Sequence, residues 1–300
     1  MLRHAYTLLL LASFFWAGNA VSGKLALGHV SPMVLNSARW IIASLVIAAI
    51  GLPHFRKDWP VLKKRLVFIF LLGAVGFSLF NIVLYNAVRY TTVINVSIEQ
   101  AAMPMFIFAL NFVLFRTGVG VGQIVGFLMS VAGVALTASH GDLSTLAQLQ
   151  MNFGDALMLI AVISYSGYTV ALRNKPDVHW KSLMLAMCVS AFVASIPFTI
   201  WEVAAGEAIM PTLRGYAIMA YTSLFPSILS QIFYIRGVEL IGGNRAGLFI
   251  NMIPVFGTLL SVLLLGEAFQ LYHAAALALV FGGIWLAERS GHRRALETRQ

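Results

Sequence analysis

LYNAVRYTTVINVSIEQAAMPMF, residues 84–106, has a counterpart later in the same chain, IRGVELIGGNRAGLFINMIPVF, residues 235–256. When the two are aligned at a shift of about 150 residues, Pro104 falls on Pro254. Weaker matches at nearly the same shift extend the alignment in both directions: WAGN (16–19) with YSGY (165–168), and Gly133 with Gly283. Apolar sequences match by chance, but a nearly constant shift across most of the chain predicts an internal duplication.

The composition indicates a membrane protein. Of the 300 residues, 60% are hydrophobic and 10% are charged, and the mean hydropathy is +0.86. Soluble domains carry about 25% charged residues, so this chain has too little polar surface to solvate a globule of its size. Its 20 Lys and Arg against 11 Asp and Glu fit basic cytoplasmic loops, and we expect no nucleic-acid partner. Cys188 is the only cysteine, which excludes an intrachain disulfide.

Ten apolar segments are long enough to span a bilayer, which takes about 20 residues each. They lie near residues 5–27, 32–52, 66–88, 92–114, 119–139, 153–173, 181–203, 213–235, 243–264 and 270–288. The sequence therefore predicts an all-α polytopic membrane protein with ten transmembrane helices, located in the cell membrane and specifically the bacterial inner membrane.

The distribution of Lys and Arg orients these helices. With a cytoplasmic N-terminus, sixteen of the 20 basic residues fall in cytoplasmic segments. The other four point toward the outside: Lys24, Arg39, Arg89 and Arg214. Because basic residues concentrate in cytoplasmic loops, this bias places both termini in the cytoplasm.

The duplication and the span count together predict an inverted repeat. Each half holds five spans, an odd number, so the second half enters the membrane in the opposite sense. We expect one repeat over residues 1–140, a second over 150–290 and a cytoplasmic tail over 291–300. Secondary transporters often have this architecture, with the solute bound near the midplane between the halves. The alternative is a duplicated membrane scaffold that transports nothing.

Two opposite charges lie at matching depth in this arrangement. Glu99 and Arg39 are each about seven residues below the outer ends of their spans, or roughly 10 Å. A charge at this depth is costly and usually faces a cavity or a partner. Two roles are therefore open for Glu99: it contacts the solute or a proton, or it forms a fixed pair with Arg39. Asp155 and Glu267, near outer ends, are expected to be interfacial.

Other polar and aromatic residues align by depth with this pair and outline a mildly polar path. The predicted solute-binding residues are Trp16, Asn19, Arg39, Ser78, Asn81, Tyr85, Glu99, Gln100, Tyr165, Tyr168, Gln231 and Tyr234. A path lined by Trp, Tyr and Asn, with almost no net charge, suits zwitterionic or aromatic solutes better than phosphates. Amino acids and amphipathic drugs are solutes of this kind.

The prolines predict hinges within the spans, and the glycines predict close packing between helices. Pro104 and Pro254 each remove a backbone hydrogen bond within a span, which makes them hinge candidates. Gly122 and Gly126 in the fifth span and the pair Gly282-Gly283 in the tenth predict close helix packing, within the subunit or in a dimer. We expect a monomer or a weak dimer.

An intramembrane enzyme is the main rival function. A serine protease in the membrane needs a buried serine and a histidine at similar depth, but all seven histidines lie at or near span ends. The sequence contains no HExxH, no paired aspartates and no Gly-rich phosphate loop. We therefore expect no catalytic residues, no metal and no cofactor.

The whole chain resembles the ten-helix drug/metabolite transporter superfamily, EamA type. The resemblance is carried by WAGNAVSGK (16–24), the segments around Pro104 and Pro254, LLGE (264–267) and GGIWLAE (282–288). The first half departs from this pattern, with FRTG (115–118) where LLGE would be expected. The resemblance implies export of metabolites or drugs without ATP, and within the superfamily the chain looks most similar to bacterial aromatic amino-acid exporters.

Overall fold

The computed structural model describes residues 2–116, 120–142, 152–241 and 248–297. Within these ranges the chain forms helices and no β-strand. In chain order the α-helices are α1 (Leu2–Leu25), α2 (Pro32–Leu62), α3 (Leu66–Gly73), α4 (Phe80–Ala87), α5 (Val93–Ala101), α6 (Met103–Phe115), α7 (Val121–Ala138), α8 (Phe153–Ala171), α9 (Trp180–Ala204), α10 (Leu213–Leu224), α11 (Ser230–Ile241), α12 (Ile253–Leu265) and α13 (Leu271–Glu297).

Every predicted span overlaps helix in this order. Parts of four predictions lie outside the described residues: the start of the fifth span at 119, the start of the ninth at 243–247, the junction of the two predicted repeats at 143–151, and the tail at 298–300.

Six helical stretches are long and apolar enough to cross a membrane: His4–Leu25, Pro32–Ala87, Val93–Phe115, Phe153–Asn174, Trp180–Ala204 and Leu213–Ile241. Three apolar helices are shorter: Val121–Thr137, Phe249–Leu265 and Leu271–Ala287. The chain is therefore a multi-pass membrane protein.

The 56-residue stretch Pro32–Ala87 is a hairpin rather than one long helix. A straight helix of this length would extend about 84 Å, against about 30 Å for the hydrocarbon core. Instead, the rings of Trp40 and Phe77 stack with their centroids 4.8 Å apart, which brings the two arms together. The reversal occurs around a short 3-10 turn, Lys63–Arg65. The two arms coincide with the second and third predicted spans.

Helices α7 and α13 pack against each other through glycine. A Cβ atom added to Gly126 would lie 2.3 Å from the carbonyl oxygen of Gly283, so only glycine allows this approach. The hydroxyl of Ser130 reinforces the contact by donating to the carbonyl of Val280 at 3.5 Å. The predicted glycine faces therefore pack within one chain.

Irregular helix geometry recurs at the shift seen in the sequence. One π-helical turn, Ala74–Leu79, joins α3 to α4, and another, Phe225–Leu229, joins α10 to α11. Helices α6 and α12 have 13 residues each, and both end at a residue in the left-handed conformation, Arg116 (φ 50°) and Gly266 (φ 68°). These paired irregularities support the internal duplication independently of side-chain identity.

Candidate functional site

Arg39 on α2 is the centre of a buried polar cluster, and its partners come from three other parts of the chain. Its side chain is only 4% exposed. Nη1 donates to Asn19 Oδ1 (2.7 Å) on α1, and to Asn81 Oδ1 (2.6 Å) and Tyr85 Oη (2.7 Å) on α4. Nε donates to Ser227 Oγ (2.6 Å) in the second π-helical turn. The guanidinium group therefore ties both halves of the chain together.

The partners of Arg39 are also bonded to one another. Asn19 Nδ2 donates to Asn81 Oδ1 at 3.0 Å, and the hydroxyl of Tyr85 donates to Asn19 Oδ1 at 2.8 Å. Beside them, Asn36 Nδ2 donates to Ser78 Oγ at 3.0 Å. Two networks therefore lie side by side. One contains Asn19, Arg39, Asn81 and Tyr85, and the other contains Asn36 and Ser78.

Of the two roles left open for Glu99, the fixed pair with Arg39 is not formed. Within the described residues, the only ion pairs are His140–Asp155 and Arg236–Glu239, so Arg39 has no carboxylate partner there. Glu99 is 2% exposed, and neither carboxylate oxygen has a hydrogen-bond partner among those residues. Equal depth did not bring the two charges together, because depth does not determine which face of a helix a side chain occupies.

A chain of aromatic rings leads away from the Arg39 cluster. The guanidinium carbon of Arg39 lies 4.8 Å from the ring centroid of Trp40, which stacks on Phe77. Phe77 contacts Tyr168 at 5.8 Å between centroids, and Tyr168 contacts Tyr165 at 5.2 Å. The predicted residues Tyr165 and Tyr168 of α8 are therefore connected to the cluster through aromatic contacts.

Trp16 and Tyr234 form a second aromatic contact beside the cluster. Their ring centroids lie 5.5 Å apart, and Trp16 Nε1 donates to the carbonyl of Pro226 at 3.1 Å. Pro226 directly precedes Ser227, the partner of Arg39. Gln231 is half-buried one turn before Tyr234 on α11, whereas the amide of Gln100 donates to Val96 within its own helix.

The sequence prediction missed Asn36 and Trp40 as members of this site. Asn36 lies three residues before Arg39 on α2 and four before Trp40, so it neighbours both on the helix surface, and Trp40 Nε1 donates to Asn36 Oδ1 at 2.9 Å. Helical spacing around Arg39 was a signal that could have identified them.

The two hinge candidates occupy equivalent positions at helix starts. Pro104 is the second residue of α6, after an interruption at Ala102, and Pro254 is the second residue of α12, after a 3-10 turn. Proline is well tolerated there because the first helical N–H groups have no acceptor within the helix. The prolines therefore mark breaks between helical segments rather than kinks inside one helix.

Two carboxylates join the halves at the starts of helices. Glu202 accepts from Ser31 Oγ (2.6 Å) and from the N–H groups of Met33 and Val34 (both 3.3 Å), at the start of α2. Glu267 accepts from the N–H groups of Val93 (2.9 Å) and Ile94 (3.0 Å), at the start of α5. Glu267 therefore caps the start of α5. The sequence analysis had predicted only an interfacial position for it.

Asp155, for which an interfacial position was expected, is buried within the protein. Asp155 is 1% exposed and accepts hydrogen bonds from Thr91 Oγ1 and from Asn95 Nδ2, the latter at 3.5 Å. Its position near the end of a predicted span did not reveal that α4 and α5 cover it.

The chain matches the sequence model of the EamA-like transporter family twice, over residues 3–139 and again over 152–288. It belongs to that family. Membership makes the chain a transporter rather than an enzyme. It is 29% identical over 285 residues to an uncharacterized transporter of Bacillus subtilis, YetK, covering 94% of this chain and 86% of that protein.

Other relatives agree with this assignment. The uncharacterized inner membrane transporter YicL of Salmonella typhimurium is 22% identical over 302 residues, covering 95% of both chains. A solved crystal structure superposes with a TM-score of 0.63 at 20% identity, covering 96% of this chain and 98% of that one. The latter likeness shows a shared fold.

Proposed function

We propose that this transporter exports small amphipathic metabolites, with neutral and aromatic amino acids as the main class and amphipathic drugs as further solutes. The observation that carries the proposal is Arg39, a buried cation bonded to neutral oxygen atoms. A buried charge is costly unless an opposite charge lies beside it. The carboxylate of an amino acid supplies that charge, and Asn19, Asn81 and Tyr85 already orient the guanidinium group toward α1 and α4.

The aromatic contacts beside Arg39 suit the other end of such a solute. Trp16, Tyr165 and Tyr234 are half-buried, and their rings present apolar faces with polar edges. An apolar or aromatic side chain of the solute would pack favourably against these rings. A phosphorylated solute, in contrast, would require more than one cation. This combination favours zwitterions with an apolar side chain.

Alternating access is the transport mechanism that fits the predicted inverted repeat. The Arg39 cluster joins α1, α2 and α4 of the first half to Ser227 of the second, so movement between the halves would expose it to one side at a time. The breaks before Pro104 and Pro254 are the proposed hinges. Ten membrane crossings, cytoplasmic termini, repeats near residues 1–140 and 150–290, and a monomer or weak dimer belong to the same proposal.

Membrane lipid is the second proposed partner. A groove of about 960 Å³ is lined by Lys63, Lys64, Arg65 and Lys175 together with apolar residues of 66–68. Basic grooves at the cytoplasmic end of transmembrane helices attract anionic headgroups. We place this groove at the inner leaflet of a bacterial inner membrane, and the Salmonella relative is named an inner membrane transporter.

A flux assay tests the proposed solute class. Purified protein in proteoliposomes loaded with radiolabelled phenylalanine should give saturable efflux that protein-free liposomes lack. Unlabelled tyrosine and leucine should compete with it, whereas phenethylamine, which lacks the carboxylate, should not. Absence of saturable flux for phenylalanine and for other neutral amino acids would refute the amino-acid assignment, and equal competition by phenethylamine would refute the role of Arg39.

A further inference from the structure

Glu99 is a buried acid that makes no hydrogen bond to any member of the Arg39 cluster. Its neighbours in sequence pack in other directions, since a Cβ atom added to Gly257 on α12 would lie 2.2 Å from the hydroxyl of Ser97, and Ile98 packs toward α13. Helix α5 packs against α8, which carries the buried carboxylate of Asp155. Two acids therefore share one region of low polarity.

Two other acids of the same chain, the buried Glu202 and the half-buried Glu267, show what a structural carboxylate looks like here. Glu202 and Glu267 each accept two backbone N–H groups at the start of a helix. Within the described residues, Glu99 receives no such bond on either oxygen. A carboxylate without donors is stabilised by carrying a proton, because the neutral acid avoids the cost of a bare buried charge.

Asp155, in contrast, accepts hydrogen bonds on one of its two oxygens, Oδ1. His273 Nδ1 accepts from the backbone N–H of Gln270 at 2.9 Å, so His273 Nε2 carries the proton and donates to Asn95 Oδ1 at 3.1 Å. Asn95 Nδ2 then donates to Thr91 Oγ1 and Asp155 Oδ1, and Thr91 Oγ1 donates to Asp155 Oδ1. Every hydrogen bond in this network points toward Asp155.

The second oxygen of Asp155 connects the network to solvent. Asp155 Oδ2 lies 3.5 Å from Nε2 of His140, whose side chain is 46% exposed. Histidine exchanges protons with water near neutral pH. On the other side, Glu99 follows Asn95 by one helical turn on α5, about 6 Å along the axis. The order from solvent inward is thus His140, Asp155 and Glu99.

We propose that Glu99 is a proton-binding site that exchanges protons in both directions with one aqueous phase through His140 and Asp155, and that its protonation promotes the export proposed above. The coupling half of this proposal rests on the proposed function, whereas the proton site does not. A protonated His140 gives its Nε2 proton to Asp155 Oδ2, Asp155 passes a proton to Glu99, and His140 takes the next proton from water. One O–H bond forms at Glu99 for each N–H bond broken at His140.

The ligand is a proton rather than a metal ion because the donor set is too small for a metal. In the described part of the chain, no group of three or more His, Cys, Asp and Glu side chains is placed to hold a metal ion. Hard cations take about six oxygen ligands, whereas a proton needs one lone pair.

The other titratable groups near this site are few. Helix α5 packs against α1, α6, α7, α8, α12 and α13, and the sequences of α6, α7 and α12 contain none. At this end of the molecule the remaining helices and the helix ends contribute Lys24, His140, Asp142, Asp155, Glu267, Tyr272 and His273. Lys24 is occupied by the carbonyls of Val88 (2.6 Å) and Thr91 (2.8 Å).

The position of Glu99 gives its protonation a way to move a helix. Its backbone carbonyl accepts from the N–H of Ala102 at 3.1 Å, in the turn that separates α5 from α6. Gain or loss of a charge three residues before this break changes how the end of α5 packs in apolar surroundings. A titratable group beside a break between two rigid segments is a common form of conformational switch.

Infrared spectroscopy in nanodiscs tests the proton site without any solute. The wild-type protein should show a protonated-carboxyl band, typical of an apolar environment, that disappears reversibly as the pH is raised. Glu99→Gln should remove this band. Glu239→Gln, the same change at an exposed acid, should leave it in place. A wild-type band that never responds to pH, or one that survives in Glu99→Gln, would overturn the proposal.

Deuterium exchange of the same band tests the path. His140→Gln and Asp155→Asn should slow the isotope shift of the Glu99 band after transfer to D₂O, and exchange at the wild-type rate in both would exclude this route. Folding is checked by thermal unfolding: Glu99→Gln should keep the wild-type midpoint, whereas Glu202→Gln, which sets an amide N–H against backbone donors, should lower it.

The phenylalanine flux assay tests the coupling. An imposed pH gradient, acidic on the side of His140, should raise wild-type efflux several-fold and leave Glu99→Gln efflux unchanged. Equal stimulation of both proteins would refute the coupling. If wild-type protein moved no amino acid, the proposed function would fail, and the infrared result would still decide whether Glu99 binds a proton.

Discussion

The Arg39 cluster shows how one cation organises a membrane interior with few polar residues. Four neutral side chains from α1, α4 and the second π-helical turn share its N–H groups, which reduces the cost of burial without cancelling the charge. Because several of these partners also bond to one another, the cluster does not depend on Arg39 alone. The site is therefore pre-organised for an anionic group.

Arg39→Gln should abolish saturable phenylalanine flux, with a loss of at least about tenfold, while the protein still folds. The carboxylate loses its cation, whereas Asn19, Asn81 and Tyr85 keep the bonds among themselves. Efflux from proteoliposomes and the thermal unfolding midpoint, measured on one preparation, separate the two effects.

Arg89→Gln is the matched control, because Arg89 is exposed and lies at the end of α4 outside the cluster. It should transport like the wild type. Flux retained in Arg39→Gln, or lost equally in both variants, would contradict the assigned role of Arg39.

At the scale of helices, the molecule contains both closely packed helix pairs and helices that are interrupted next to proline. Helices α7 and α13 meet at glycine, where backbone approaches backbone. Helices α5 and α6, and the segments before α12, are interrupted next to proline. Packed pairs of this kind move as units, and interrupted helices change direction at the break.

Gly126→Ala should destabilise the protein by about 1–3 kcal/mol, as overpacking of a tight interface does. The added methyl group would meet the carbonyl oxygen of Gly283, which is backbone and cannot rotate away. Thermal unfolding in detergent measures the change.

Gly167→Ala on α8 is its control. A Cβ atom added there has no neighbour within 4 Å, so this substitution should leave stability unchanged or raise it slightly through helix propensity. Equal loss in the two variants would show that the contact between α7 and α13 does not decide stability.

Across the whole molecule, hydropathy and the internal repeat predicted where the helices lie. They did not predict which way individual side chains point. Apolar length alone located the helices, because bilayer thickness imposes that length. It could not locate the π-helical turns, because both are as apolar as the helices around them and only the second, at 225–229, contains a proline. Depth grouped Asn19, Arg39 and Asn81 correctly, but it wrongly included Glu99, whose direction depends on the rotation of α5.

Cysteine labelling tests the orientation of the whole chain. Cys188 is fully buried, so Cys188→Ala provides a background without reactive thiols. In intact bacteria, a membrane-impermeant maleimide should label Arg89→Cys, and it should label Lys63→Cys only after permeabilisation. Both parent residues are exposed, so access to the thiol reports the side of the membrane. The reverse pattern would invert the predicted topology.

The two helix-capping acids bear on the history of the duplicated chain. Glu202 and Glu267 both belong to the second half, and both serve helices of the first. At the shift of 150 residues the first half carries Leu52 and Thr117 in their places. Two copies of the present first half would lack both carboxylates, so the two halves of this chain are complementary and not interchangeable.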